Sequence, residues 1–329
     1  MRIVGPLILT LALAAVAWVG TQYAGLYAVF GIVIPYLALA SLVGGFVFRL
    51  VKWGKSAVPF RIPTTCGQQK SLPWVKQNNI ENPSSFAGVV GRMLLEVLVF
   101  VSLFRNTKTE KQGEALGVGS AKWLWLGALV FHWSMLIIVL RHLRFFLEPV
   151  PGAIMALEGA DAFFQIGLPA LYLTDLLIVS ALTFLFVRRV VIPRVRYLSL
   201  PNDFFPLFLL LGVVIAGIAM RYFFRVDIEG VKEVAMGLVR LHPVVVAGIG
   251  PIFYVHLFLV SVLIGYFPWS KLMHAGGIVL SPTRNQANDS RAVRHVNPWN
   301  PDLPVHTYAE YEDEFKDKLV KAGLPLDAE

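Results

Sequence analysis

The sequence predicts an all-α integral membrane protein: a helical bundle of six transmembrane helices, plus an interfacial helix and an extended cytoplasmic C-terminal tail. Three observations predict it. The 329 residues are 56% hydrophobic and only 15% charged, against roughly 25% charged residues in soluble domains, which excludes a soluble globular protein. Apolar stretches recur near the roughly 20 residues that a helix needs to cross about 30 Å of hydrocarbon. Lysine and arginine also collect on one side of the resulting topology, as orientation in a membrane requires.

Taken in order, the first span covers residues 3–19. Arg2 followed by an apolar run ending in Ala15-Val16-Ala17 has the pattern of a secretory signal, and we read it as an uncleaved first span. The second covers 26–48. A third apolar stretch, 89–104, is short, contains Arg92 and Glu96, and follows a polar, Pro-rich segment. It reads as an interfacial amphipathic helix over 88–104, or as one buried against a partner. The remaining spans are 123–140, 167–187, 204–220 and 243–269. With six spans and both termini inside, 23 of the 29 Lys and Arg residues face the cytoplasm, whereas a seventh span would set the basic runs around Arg49 and Arg188 on opposite sides. The net charge of +8 is therefore a topology signal rather than a nucleic-acid one. The chain divides into two N-terminal helices (1–51), a cytoplasmic loop with the interfacial helix (52–122), a four-helix core (123–275) and a cytoplasmic tail (276–329). The tail is polar and rich in Pro and Asn, too small for a core of its own, and is expected to lie on another protein.

One cysteine, Cys66, excludes an intramolecular disulfide, an iron–sulfur cluster held by this chain alone, and any Cys-pair zinc or c-type haem motif. It reads as a partner contact or a spare thiol. Of the seven histidines, four lie in or beside two spans: His132 and His142 in the third, His256 and His274 at the last. Ionisable groups at membrane depth default to a functional reading. The ten-residue step is about 15 Å of helix and the eighteen-residue step about 27 Å. Both pairs look toward the bundle interior, and the two spans run antiparallel. That geometry pairs His142 with His256 near the outer surface and His132 with His274 near the inner one. Facing imidazoles can ligate an iron axially, so the two pairs suit two haem b groups stacked across the bilayer. The unequal steps call for a tilted helix or for an inner ligand beyond the regular helix end, and Pro268 makes a bend there. Ordinary buried histidines bonded to backbone are the bland alternative. Zinc fits less well, because it wants three or four ligands in one cluster. His242, His295 and His306 read as structural.

Arg141, Arg144, Arg221 and Arg225 stand among the few outer basic residues, where propionates would want them. Snorkelling to lipid headgroups explains them equally. Asp175 could carry protons or bond a neighbouring hydroxyl such as Thr174.

Two runs, Phe186-Val187-Arg188-Arg189-Val190-Val191-Ile192-Pro193-Arg194-Val195-Arg196 and Phe267-Pro268-Trp269-Ser270-Lys271-Leu272-Met273-His274, together with the two histidine spacings, resemble the gamma subunit of respiratory nitrate reductase. That family is a membrane di-haem cytochrome b. The resemblance covers residues 26–281; the first span, the Cys66 loop and the tail depart from it. Within the superfamily, Arg61-Ile62-Pro63-Thr64-Thr65-Cys66-Gly67, Ser102-Leu103-Phe104-Arg105-Asn106-Thr107-Lys108 and Ala275-Gly276-Gly277-Ile278-Val279-Leu280-Ser281-Pro282-Thr283-Arg284-Asn285 look like the cytochrome b subunit of the transmembrane complex linked to dissimilatory sulfite reductase.

The resemblance implies a complex in the cytoplasmic membrane. Its other members are a cytoplasmic heterodisulfide-reductase-like iron–sulfur subunit, a periplasmic multihaem cytochrome c, a periplasmic ferredoxin-like subunit and a second quinone-interacting membrane subunit. Menaquinone is the implied diffusible substrate, and its site beside the outer haem would adjoin His142 and His256. The family's basic residue there has no counterpart in the outer loop 148–165, which holds Glu148, Glu158 and Asp161 but no lysine. The expected activity is that of a quinone-linked oxidoreductase subunit passing electrons between menaquinol outside and iron–sulfur centres inside. A proton-coupled transporter and a purely structural anchor are the rival classes. Transporters often carry internal repeats, and the sequence shows none of useful length.

Overall fold

The computed structural model describes residues 2–56, 78–113, 115–162, 169–246, 248–281, 284–288 and 305–327. Arg61, Cys66 and His295 lie outside the described residues. The fold is mostly helical. Helix α1 (Val4–Gln22) is followed by a π-turn (Val29–Val33) that runs into α2 (Ile34–Gly54). The short helices α3 (Phe86–Val99) and α4 (Val101–Arg105) precede strands β1 (Thr107–Gln112) and β2 (Ala115–Ser120). Then come α5 (Lys122–His142), α6 (Gly152–Asp161), α7 (Leu173–Val191) and α8 (Pro193–Leu198). Helices α9 (Pro201–Ile218), α10 (Ile228–Val239), α11 (Pro251–Tyr266), α12 (His274–Val279) and α13 (Tyr308–Lys321) complete it.

Among the described residues, five helical segments are long and apolar enough to cross a membrane: Val4–Gln22, Val29–Gly54, Lys122–Phe145, Pro201–Phe224 and Pro251–Trp269. The expected fourth span corresponds to α7, which is 19 residues long but carries Asp175 in its first turn and Arg188 and Arg189 in its last. All three fall within any eighteen-residue stretch of it, whereas each of the five has such a stretch with at most two charges. It packs between α5 and α9 all the same.

Helices α9 and α11 form the centre, with α1 against both and α2 on the far side of α11. Leu209, Val213, Ala216, Tyr254, Phe258 and Leu259 are buried at that junction with Ala17 and Phe30. A second buried set, Ile178, Leu182 and Leu210, joins α7 to α9. The outward faces stay apolar, with Ile8, Leu11, Leu37, Val43, Val139 and Leu176 all exposed. A helix apolar on every side belongs in a protein core or in lipid.

The structure corrects several expectations. The helix expected over 88–104 is two helices, because Phe100 takes a left-handed conformation (φ 52°) between α3 and α4. The freed carbonyls at the end of α3 accept indole N–H groups from α5: Trp125 Nε1 donates to Val99 O at 2.7 Å and Trp133 Nε1 to Leu98 O at 2.9 Å. Arg92 and Glu96, the two charges that argued against a span, are buried. Glu96 accepts from the Ser102 amide at 3.3 Å and from its hydroxyl, and Arg284 Nε stands 3.8 Å away.

An all-α fold is also too simple. β1 and β2 pair antiparallel about a turn in which Gly113 has φ 63°, a conformation glycine adopts at little cost. Thr107–Gln112 is polar throughout and so carries no alternation that marks a strand, while exposed and half-buried positions alternate toward the end of Ala115–Ser120. The tail is not extended throughout, since α13 is a 14-residue helix closed by a capping box in which Thr307 and Glu310 cap each other's backbone N–H groups. Finally, the last long helix starts at Pro251 rather than at 243. Gly250 (φ 91°) turns the chain into it, and proline suits a first helical turn.

Candidate haem-binding site

The histidines are carried by α5 and by the run from α11 to α12. Helix α11 ends at Tyr266. Two 3-10 turns, Phe267–Trp269 and Lys271–Met273, follow before His274 opens α12. Pro268 is buried there, against the Cα of Gly45 on α2, where any side chain would collide with its ring. Lys271 Nζ bonds Asp203 Oδ1 at 2.6 Å and so ties this turn to the start of α9. His274 thus sits beyond the regular helix end, which accommodates the unequal steps along the two elements.

The structure brings the four rings together in two pairs. The His142 and His256 ring centroids are 6.4 Å apart, with planes inclined by 16°. Those of His132 and His274 are 6.0 Å apart, with planes inclined by 88°. Because His132 precedes His142 while His256 precedes His274, the two elements run antiparallel. Phe100 and Phe131 flank His132, each with its ring centroid 5.0 Å away, and Phe145 flanks His142 at 5.9 Å.

Every one of these rings has its Nδ1 against a backbone carbonyl. His132 reaches Ala128 O at 2.7 Å, His142 reaches Ile138 O at 2.7 Å, His256 reaches Val213 O at 3.0 Å and His274 reaches Lys271 O at 2.9 Å. A carbonyl only accepts, so Nδ1 carries the proton and Nε2 keeps its lone pair for a metal. The bond from His256 needs a close approach of α9, and Gly217 allows it: a Cβ there would stand 3.2 Å from His256 Cε1.

The ring separations fit an iron held from both sides. Two iron–nitrogen bonds of about 2 Å, each with roughly 1.1 Å more to its ring centre, put axial imidazole centroids about 6.2 Å apart. The two pairs fall on either side of that value. Among the described residues no group of three or more His, Cys, Asp or Glu side chains gathers as a protein-only metal site. A haem held by two histidines would need only one such pair. His242 and His306 are exposed.

The arginines expected at the outer boundary separate by role. Arg141, buried, lies 2.9 Å through Nε from Asp161 Oδ2, and its Nη2 reaches Asp175 Oδ1 and Thr174 Oγ1 at 3.3 and 3.1 Å. Two acids already occupy it, which removes it as a propionate partner. Asp175 does not bond Thr174; its Oδ2 accepts the Tyr222 hydroxyl at 2.9 Å, while the Thr174 hydroxyl donates to Asp161 at 2.6 Å. Tyr172 lies between two guanidinium groups, Arg141 at 3.6 Å and Arg221 at 3.8 Å from its ring centre. Arg221 donates to Ala170 O at 3.0 Å through Nη2, while its buried Nε has no partner among the described residues, as a cation near an absent anionic group would. Arg144 pairs with Glu158. Arg225 is exposed, in a left-handed conformation at the end of the π-turn after α9, and joins no described ion pair.

Sequence reasoning named Asp161 without a role and missed Tyr172 and Tyr222, which no spacing marks, and Lys232, which α10 contributes from outside the loop 148–165. Lys232 pairs with Glu148.

Comparison with known proteins is consistent with this geometry. The family model described as nitrate reductase gamma subunit matches residues 88–286. A protein of Archaeoglobus fulgidus named Hdr-like menaquinol oxidoreductase cytochrome b-like subunit is 48% identical over 285 residues, covering 84% of this chain and 85% of its own. A protein of the same name from Archaeoglobus profundus is 40% identical over 281 residues, covering 83% of each. With its histidine pairs, its membrane-length helices and these matches over most of its length, the chain belongs to the nitrate reductase gamma subunit family.

Proposed function

We propose that this chain is the membrane cytochrome b subunit of a menaquinol-linked redox complex, holding two haem b groups: His142 and His256 clasp the outer iron, His132 and His274 the inner one. The observation that carries the reading is the pair of ring separations, 6.4 and 6.0 Å, with every Nδ1 tied to a carbonyl. The names of the relatives support cytochrome b and menaquinol. Five membrane-length helices among the described residues support it too; α7 is the sixth span in this reading and both termini lie in the cytoplasm, as the basic-residue asymmetry favours.

Haem supplies reversible one-electron chemistry at iron. This chain's residues fix the axial imidazoles, hold their protons on Nδ1 and exclude water with Phe100, Phe131 and Phe145. Arg221 and Arg144 are placed to hold propionates at the His142 end, and Arg225 stands at the rim. Menaquinol is oxidised at that end, and electrons leave from the His274 end.

The organisation by segments follows: 123–275 is the di-haem core, while 52–122 and 276–329 contact cytoplasmic partners. The receiving partner is a heterodisulfide-reductase-like iron–sulfur subunit. The rest of the complex is a periplasmic multihaem cytochrome c, a periplasmic ferredoxin-like subunit and a second membrane subunit, working in dissimilatory sulfur metabolism. The test is optical. Dithionite-reduced minus oxidised spectra of the purified chain are expected to show a b-type α-band that falls by about half in His256→Ala. A parent protein without that band overturns the reading.

A further inference from the structure

A groove of about 720 Å³ opens where the start of α1 meets α8, lined by Arg2, Pro193, Arg194, Arg196, Tyr197 and Leu198. It lies at the opposite end of α7 from Tyr172 and the arginines around His142. Its walls are fixed. Extended backbone at Ile192 ends α7, and Pro193 begins α8 as a new helix. Buried Ser199 then ties α8 back to α7: its hydroxyl donates to Val195 O at 2.7 Å and accepts from Arg189 Nη1 at 3.3 Å. Across the groove, Arg2 Nη1 donates to Tyr197 O at 3.2 Å, joining two elements 195 positions apart in the chain.

Three of the six lining residues are arginines, three are apolar or aromatic, and none is acidic. Among the described residues no carboxylate forms an ion pair with Arg2 or Arg196. Asp203, the next acid along the chain, is already engaged by Lys271 Nζ at 2.6 Å and by the Leu200 amide at 2.9 Å. The counter-ion for this end of the bundle therefore comes from outside the chain. A guanidinium presents a planar fork of donors that matches the oxygens of a phosphate.

The apolar half of the lining says which phosphate. Tyr197 and Leu198 are exposed, and so are Val4 and Ile8 just after Arg2 and Val187 and Val191 just before Pro193. Helices α1 and α7 thus carry apolar surface away from the groove on both sides, where acyl chains would run. Exposed tyrosine beside arginine is the composition of the head-group layer, and basic pockets between membrane helices on the cytoplasmic side suit anionic lipid head groups. A volume within the roughly 300–1,000 Å³ of ligand pockets accommodates one head group. The orientation rule alone asks only for positive charge on this side; it does not ask two distant elements to converge on a shared apolar seat.

We propose that this groove binds the head group of one anionic phospholipid, with its phosphate on Arg2 and Arg196, Arg194 adding to the positive field, and the first methylenes of its chains against Tyr197 and Leu198. In the six-span reading above the lipid comes from the cytoplasmic leaflet; the choice of leaflet depends on that reading, and the binding does not. Arg2 and α1 lie outside the residues 88–286 matched by the family model, so the site is formed in part by an element added to that core.

The experiment titrates the purified full chain, delipidated in detergent, with phosphatidylglycerol carrying a fluorescent acyl chain, and counts retained lipid by native mass spectrometry. Phosphatidylcholine, inorganic phosphate and the soluble head group glycerophosphoglycerol are the comparison probes. Phosphatidylglycerol is expected to bind once per chain, at least tenfold more tightly than each of these, and to raise the melting temperature of the delipidated parent. Arg2→Gln/Arg196→Gln is expected to weaken that binding at least tenfold, and Arg2→Lys/Arg196→Lys to recover part of it. Lys52→Gln/Lys55→Gln, which removes the same charge from the exposed end of α2, should change it less than twofold. A parent that binds phosphatidylglycerol no more tightly than phosphatidylcholine overturns the inference without recourse to any variant. Equal losses in the lysine and arginine variants would reduce the effect to diffuse surface charge and also overturn it. Inorganic phosphate or glycerophosphoglycerol binding as tightly as the lipid would leave an anion site without a lipid seat, against the proposal. An arginine variant that keeps its lipid but sheds a subunit from the native complex assigns the groove to a protein partner and overturns it as well.

Discussion

Replacing Arg141 by Met is the most demanding stability test of the His142 end. The guanidinium is 8% exposed and faces Asp161 (4%) at 2.9 Å and Asp175 (20%) at 3.3 Å. Methionine keeps much of the side-chain volume and removes the charge, which leaves two carboxylates facing each other with no cation between them. Breaking a buried pair by removing one partner costs about 3–5 kcal/mol, because the remaining charge stays desolvated. At about 2–4 °C per kcal/mol for chains of this order of size, the melting temperature should fall by about 6–20 °C. Asp175 is a fifth exposed, and water reaching it pulls the figure toward the lower end. The assay is thermal unfolding of the detergent-solubilised protein, with Arg141→Met/Asp161→Asn alongside. The side-chain carbonyl introduced by Asp161→Asn can still accept from the Thr174 amide, now 2.9 Å from Asp161 Oδ1, so the double variant should recover part of the loss, with a coupling of roughly 0.5–3 kcal/mol. A single variant melting within about 1 °C of the parent, as an ordinary surface change of about 0.5 kcal/mol or less does, refutes the claim that this network holds the helix end carrying His142.

Gly217→Ala places a methyl 3.2 Å from His256 Cε1 and 3.6 Å from Nδ1, so the ring must move by a few tenths of an ångström; a redox titration should show one midpoint shifted and the other unchanged, and two unshifted midpoints would contradict the contact. The histidine ring planes are inclined by 16° in one pair and 88° in the other, which would make two irons held between them electronically distinct, so electron paramagnetic resonance of the oxidised protein should resolve two different low-spin signals rather than one. Lys111, on the hairpin that follows α4, should react with a membrane-impermeant amine reagent only from the cytoplasmic side of oriented vesicles; labelling from outside would mean that the segment 88–104 crosses the bilayer.

Much of the site was legible because it depends on helical periodicity. Ten and eighteen residues along two antiparallel elements set which imidazoles can meet, and the pairs His142 with His256 and His132 with His274 lie as that arithmetic requires. The break before His274 was legible from Pro268, since a proline removes a backbone donor at a known place. The polar network was not. Asp161, Tyr172 and Tyr222 come from a loop and from two helix ends, and neighbours such as Tyr222 and Asp175 are 47 residues apart; no periodic pattern links them. Lys232 was invisible for the same reason, because it stands on the helix that folds over the segment bearing Glu158 and not in that segment itself. The left-handed turn at Phe100 was equally hidden, as the residue is neither Gly nor Asn, and the indole donors that compensate for it, Trp125 and Trp133, lie on a different helix.

The most direct test of the central claim is the ratio of haem b to polypeptide in the purified complex subunit, taken with a redox titration. The account predicts two haems per chain with two midpoints, and one haem remaining in each of His142→Ala and His274→Ala. A ratio of one or zero in the parent, or two haems persisting in both variants, would contradict it.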